Sequence, residues 1–386
     1  MKILSIKCSY KKLKFKLFNM DNESIISYGE FNHIGDNNGR YIIKYEDNKI
    51  DGDIIINDYV SAVRILTEKL LSLSIIESID DIDVIGHYII LGEGNSIIIN
   101  EDVINRLKEN EICIDNLLGI EAFKELMPNK TMVGVFDNSF HSSIDEVNYL
   151  YPVPIGWYRN YNIRKYGYSG IRHSYISSEV SNLLGDNYKL ISIDLDKDSS
   201  VCAIKDNKSV DISNGFRMTG GIMNGTRSGS IDPSIIPYVM EKEGKNIGEI
   251  LDDLNNNSGL IGISEVSSDI DDIVISIDEG NKEAVLAKDM FIRSIVDYVG
   301  SYYLLLDGCD IIVFSSDDVS RYIPIRREIC EKLSVLGIKI DLDLNQKNEG
   351  LVKISTDDSK IQVYITNSNE GLMIARESMN LVRNGN

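Results

Sequence analysis

Apolar and polar positions along the chain divide it into segments of two different periods. Residues 2–6 and 13–18 are short apolar-rich runs on either side of the polar stretch Lys7-Cys-Ser-Tyr-Lys-Lys12, a pattern that predicts two strands and a turn. Two more β-rich runs lie at 24–28 and 41–45. The spacing of Val60, Val63, Leu66 and Leu70 predicts a helix, with Asn57 as the N-cap that accepts a free backbone N–H. Residues 84–91 and 131–136 are almost continuously apolar, as strands covered on both faces are, and 116–126 reads as a helix between them.

The opening pattern then returns. Residues 190–194 and 201–204 again flank a polar turn, and Leu4-Ser-Ile-Lys7 has an echo in Ile191-Ser-Ile-Asp194. The second half is richer in helix. A long helix is predicted over 281–305, its apolar face carried by Val285, Ile292, Val296, Val299 and Tyr303. A buried strand at 310–314, a helix at 320–336, strands at 352–355 and 361–365 and a closing helix from 369 complete the reading. Strands alternating with helices on this scale predict an α/β fold.

Composition narrows the function classes. A chain of 386 residues has ample core for two domains. The formal charge of −20 argues against nucleic acid and against an anionic membrane surface as partners. No apolar run is long enough to span a bilayer, and the start reads as a strand rather than a signal peptide, so a cytoplasmic protein is expected. Cys8, Cys113, Cys202, Cys309 and Cys330 are scattered without CxxC spacing, which suits a reducing compartment and no metal cluster.

One stretch, 215–233, has no period at all. It carries five glycines and two arginines, with Arg227 set in Gly225-Thr-Arg-Ser-Gly229. Glycine lets backbone N–H groups approach a ligand, and a guanidinium fork suits a carboxylate or phosphate. A flexible surface loop would have the same composition.

This stretch, preceded by Val210-Asp-x-Ser-x-Gly-Phe216, resembles the acetate kinase family. Val135-Phe-Asp-Asn-Ser-Phe-His141, Ile163-Arg-Lys-Tyr-Gly-Tyr-Ser-Gly170, Ser258-Gly-Leu-x-Gly-Ile-Ser264 and Leu372-Met-Ile-Ala375 are similar to the family's motifs, so the resemblance covers nearly the whole chain. It implies the duplicated ribonuclease-H-like, actin-like ATPase fold, with domains 1–140 plus 371–386 and 141–370, the second being the dimerisation half. The reaction it implies is reversible phosphoryl transfer between ATP and acetate with Mg²⁺, in which charge neutralisation of the transferring group carries the chemistry. Asp137 matches the family's catalytic aspartate, Glu370 its metal-linked glutamate (with Asp137 as a second metal candidate) and Arg227 one of two active-site arginines.

Elsewhere the sequence departs from the family's pattern. The catalytic histidine position, after Tyr168 of the substrate pocket, is Ser169. The second arginine is Tyr88. The phosphate loop reads Asp194-Leu-Asp-Lys-Asp198, placing Asp194, Asp196 and Asp198 where a nucleotide's phosphates would sit. At an effective dielectric of about 20, each unscreened carboxylate–phosphate pair about 4 Å apart would repel by roughly 4 kcal/mol. The nucleotide loop reads Asp317-Asp318-Val-Ser-Arg321, and the family's Asp-x-Arg is Asp269-Ile-Asp271. The histidines are His33, His87, His141 and His173, and none occupies the catalytic position; His141 and His173 read as packed, structural residues.

The expectation is therefore a degenerate member with phosphotransfer lost, needing neither Mg²⁺ nor ATP, and serving a binding or regulatory role. It would act as a homodimer or pair with a paralogous acetate kinase. An active acyl kinase of altered specificity is the alternative. Lys7, Lys11 and Lys12 on the first turn and Asp194, Asp196 and Asp198 on the second either stay as solvated loops or pair directly with one another.

Overall fold

In the computed structural model, residues 1–94, 96–348 and 350–385 are described. The chain divides into unit 1, Met1–Ser139 with Asn369–Asn386, and unit 2, Phe140–Ser368, each built around one sheet.

Unit 1 begins with β1 (Lys2–Ser9), β2 (Lys12–Asn19), β3 (Ser24–Asn32), β4 (Arg40–Tyr45) and β5 (Asn48–Asp53), and continues with β6 (Val84–Ile89), β7 (Ile97–Ile98) and β8 (Thr131–Phe136). Their order across the sheet is β5-β4-β3-β2-β1-β6-β8-β7. β1 is the hinge of the topology: it pairs antiparallel with β2 and parallel with β6. The polar stretch 7–12 is mostly strand, because Ser9 already pairs with Lys12 and only Tyr10 and Lys11 form the turn. Lys7 and Cys8 therefore stay in the ladder and point to opposite faces, Cys8 into the core and Lys7 out of it.

The helix Tyr59–Ser72 is capped by Asp58 rather than Asn57, its carboxylate accepting from the Ser61 N–H. Val63, Leu66 and Leu70 pack with Leu4, Ile6, Leu13, Phe15 and, from the helix Ile114–Leu126, Phe123. The closing helix Glu370–Asn384 covers the other face, against β1, β6 and β8. Gly86 on β6 permits this approach, since a Cβ there would collide with Ser378 Oγ and Ile374.

Unit 2 repeats the scheme. β9 (Lys189–Asp194), β10 (Ser200–Lys205) and β11 (Lys208–Ile212) form an antiparallel meander. β12 (Ile311–Ser316) and β14 (Gln362–Asn367) then extend the sheet parallel to β9, with short β13 (Val352–Lys353) at the edge. The long helix is Lys282–Leu305, capped by Asn281. Its buried stripe is Ala284, Ala287, Phe291, Ile292, Ile295, Val299 and Tyr302, while Val285 is exposed. Two alanines supply the close approach that counting large apolar side chains overlooked. The expected helix 320–336 resolves into the 3-10 turn Val319–Tyr322, the α-helix Ile323–Lys332 and a second 3-10 turn, Leu333–Leu336. Pro324 sits in the first turn of that α-helix, where its missing N–H costs nothing. No helix among the described residues is long and apolar enough to cross a membrane.

Candidate functional site

In unit 2 the parallel strands β9, β12 and β14 end at Asp194, Ser316 and Asn367, so the residues that follow gather at one end of the sheet. Ligand sites in open α/β sheets lie at such carboxyl ends. The helix Gly170–Leu184 brings Arg172, in its first turn, to the same place. One Arg172 nitrogen lies 2.7 Å from Asp196 and 3.5 Å from Asp194, and the other terminal nitrogen 3.0 Å from Asp317. Arg172 also donates to Ser368 Oγ at 3.1 Å.

Asp194 is 1 % exposed. Its Oδ1 accepts from Ser315 Oγ at 2.9 Å, while Oδ2 has no hydrogen bond, only the longer ion pair to Arg172. Burial outweighs that ion pair and, helped by Asp196, pushes the carboxyl up to about 7. Asp196 accepts from its neighbour's N–H, that of Lys197, and from the N–H of Asp317. The sheet end is thus a compact cluster of three carboxylates around one guanidinium.

The remaining loop positions are similarly committed. Arg227 pairs with Asp198. Arg321 takes Asp269 and Asp271 together, the latter at 2.6 Å through Nε. Burial works to raise Asp269, but the Arg321 bond and the Asp271 N–H hold it below the usual carboxylate range. Asp269 also caps the helix Ile270–Asp278, and Asp318 caps the turn after β12 by accepting from the Ser320 N–H. The glycine-rich stretch is irregular in structure, as its lack of period implied. It is tied down by Gly221, whose N–H donates to Ser230 Oγ and whose carbonyl accepts from the Ser230 N–H. Gly221 has φ +103°, and a Cβ there would stand 2.6 Å from Ser213 O, so only glycine closes this loop.

Ser169 is buried at the N-cap of the Arg172 helix with φ +60°, left-handed for a non-glycine residue. Tyr168 is fully buried and its hydroxyl donates to Phe216 O. His141 donates from Nε2 to Tyr168 O and accepts at Nδ1 from Ser209, and His173 lies between the hydroxyls of Ser192 and Ser200. Burial pulls His141 down to about 4 and His173 well below its ordinary value, so both are neutral packing residues.

In unit 1 the candidate residues meet where β1 and β6 adjoin the start of the closing helix. Lys7 Nζ lies 2.8 and 2.9 Å from the two carboxylate oxygens of Glu370. The same ammonium sits over the Tyr88 ring, 4.2 Å from its centroid. Ser5 Oγ donates to Gly371 O, fixing the helix start on β1. Asp137, directly after β8, is buried, and its N–H donates to Ile89 O.

Within its own unit each of Lys7, Lys11, Lys12, Asp194, Asp196 and Asp198 already has a partner. Lys7 bonds Glu370, Lys11 bonds Asp36 and Lys12 bonds Glu30, while the aspartates take Arg172 and Arg227. The partners come mostly from helix starts and turns, such as Glu370 at the start of the closing helix and Arg172 in a helix's first turn. Arg172 was missed by sequence reasoning. No period or motif in the sequence marked it.

The chain matches the model of the acetokinase family over residues 2–376. It is 39% identical over 386 residues to an acetate kinase of Phytoplasma mali, covering 98% of each chain. It is 37% identical over 391 residues to one of Acholeplasma laidlawii, covering 99% of each. Among solved structures it is similar to Porphyromonas gingivalis acetate kinase, with a TM-score of 0.92 and 30% identity over 99% of both chains. A propionate kinase from Francisella tularensis gives a TM-score of 0.92 at 29% identity, covering 98% of this chain and 99% of that one.

Proposed function

Because the chain belongs to the acetokinase family, we propose that it keeps the family's duplicated actin-like fold while phosphoryl transfer between ATP and acetate has been lost, leaving a binding or regulatory role. The family is in general ATP- and Mg-dependent. The observation that carries the reading is Arg172, seated among Asp194, Asp196 and Asp317 at the end of the unit 2 sheet. A nucleotide's phosphates need cations and backbone N–H groups free to face them. Here the guanidinium is consumed by carboxylates, and Asp198, Asp269 and Asp271 likewise occupy Arg227 and Arg321.

Mg²⁺ fits the unit 1 residues no better. Glu370, the carboxylate that resemblance assigns to the metal, holds the Lys7 ammonium on both oxygens. An ammonium beside a divalent ion would repel it. Ser169 at the histidine position cannot place a positive charge on a phosphoryl oxygen, and loss of one such donor typically costs about 10²–10³ in rate.

A second reading, an acyl kinase of altered specificity, draws on the full-length identity to acetate kinases and on the presence of Asp137 and Arg227. Assembly as a homodimer, or with a paralogous acetate kinase, belongs to the proposal for the binding role. The test is calorimetry with Mg-ATP and Mg-ADP beside a coupled assay for acetyl phosphate. Absence of binding and of turnover is expected. Turnover that Asp137→Ala or Arg227→Ala abolishes would establish the second reading instead.

A further inference from the structure

The acidic cluster in unit 2 is built like a cation site. Carboxylates of Asp194, Asp196 and Asp317 and the hydroxyl of Ser368 converge on one point from three separate strand ends and their turns. Asp194 is nearly fully buried and aims an oxygen with no hydrogen bond at that point. Such a carboxylate is costly to bury without a positive partner. The occupant is the Arg172 guanidinium, 12 % exposed, delivered by the first turn of the helix Gly170–Leu184. With Arg172 seated among them, no three His, Cys, Asp or Glu side chains among the described residues stand close enough to hold a metal ion; the carboxylates would have to close up on the vacated centre to take one.

We infer that Asp194, Asp196 and Asp317 form a cation site that the chain fills with its own Arg172, so that Arg172 is the residue determining what this sheet end accepts. This rests on the reading of the site as a degenerate nucleotide cradle. The tethered cation joins the turn after β9 to the loop after β12 with no ligand present. Arg321, four residues beyond Asp317, fastens the far end of the same loop to Asp269 and Asp271. The loop 317–321 is therefore pinned from both sides by side chains, where a ligand-binding loop would be ordered by its ligand. A site of this kind rejects phosphate-bearing ligands through its residual negative charge and rejects free divalent ions through its resident one.

The experiment compares wild type, Arg172→Ser and Arg172→Lys by hydrogen exchange and by thermal unfolding with and without Mn²⁺, all without nucleotide. Wild type should show slow exchange over 317–321 and a midpoint indifferent to Mn²⁺. Arg172→Ser should lose protection there. Its vacated carboxylates should take the metal, raising the midpoint by roughly 5 °C at a hundredfold excess over Kd. Arg172→Lys keeps a tethered cation and should remain indifferent, and adding Asp317→Asn to Arg172→Ser should abolish the metal response. Equal protection and equal Mn²⁺ indifference in Arg172→Ser and wild type would overturn the inference, as would a wild type that already responds. If Arg172→Ser does not fold, Arg172→Gln, which keeps most of the side chain without its charge, takes its place under the same two criteria. Nucleotide binding by wild type would overturn the functional reading alone, since these measurements contain no nucleotide.

Discussion

Lys7 and Glu370 stand 363 positions apart in sequence, yet the ammonium bonds both oxygens of the carboxylate at 2.8 and 2.9 Å. The pair joins β1 to the first residue of the closing helix, so the chain's two ends are fastened within unit 1. Both side chains are largely covered, at 29 and 15 % exposure, which places the pair between a screened surface bridge and a buried one. Lys7→Met should lower stability by about 1–2 kcal/mol, measured by urea unfolding. A loss indistinguishable from zero would mean that the closing helix is held by its apolar face alone.

Arg326 is the largest wholly buried side chain in the structure. Its guanidinium donates to Asn345 Oδ1 and to the carbonyls of Val319, Asn345 and Lys347, and burial pulls its pKa down to about 10. It thereby pins the segment 345–347 to the turn after β12. Arg326→Met would keep the packed stem and orphan these acceptors, at a cost of roughly 3 kcal/mol. Equilibrium unfolding checks this, and a loss below about 1 kcal/mol would show that water replaces the guanidinium.

Asp194 gives a signed pH dependence. Its folded pKa is raised by burial to about 7 from an ordinary value of 3.8. Between those values the folded state binds the extra proton, so this group's contribution to stability is present at low pH and falls as pH rises toward 7. His87, His141 and His173, all pulled down by burial, act in the opposite direction as pH falls below about 6.5. The whole-protein curve mixes these effects, but the difference between wild type and Asp194→Asn isolates the first. That difference should move in favour of Asp194→Asn as pH rises from 4 to 7, and a flat difference would contradict the assigned burial effect.

Ser169 occupies a left-handed backbone position at φ +60° that histidine tolerates better than most residues. Ser169→His should therefore fold. It should nevertheless yield no acetyl phosphate from ATP and acetate, because Arg172 and the carboxylates around it are untouched by the change. Turnover well above background in this single variant would show that the histidine was the only missing part.

Local pattern was enough for the sequence to determine the strands, most of the helices and the α/β class. The apolar runs that became β1, β6, β8, β9 and β12 are continuous because parallel strands are buried on both faces, a property carried by neighbouring residues alone. The glycine-rich stretch declared itself irregular for the same reason. Tertiary structure decided the partners of the charges. A lysine or aspartate reads the same whichever partner it meets, and helix packing set Glu370 beside Lys7 and Arg172 beside Asp194. The small residues of the long helix were invisible as core until Ala284 and Ala287 were seen wholly buried in the unit 2 core. Arg172 was hidden for a further reason: one arginine in a polar helix start has no pattern, and its meaning comes from three carboxylates that only the converging ends of β9, β12 and β14 bring to it.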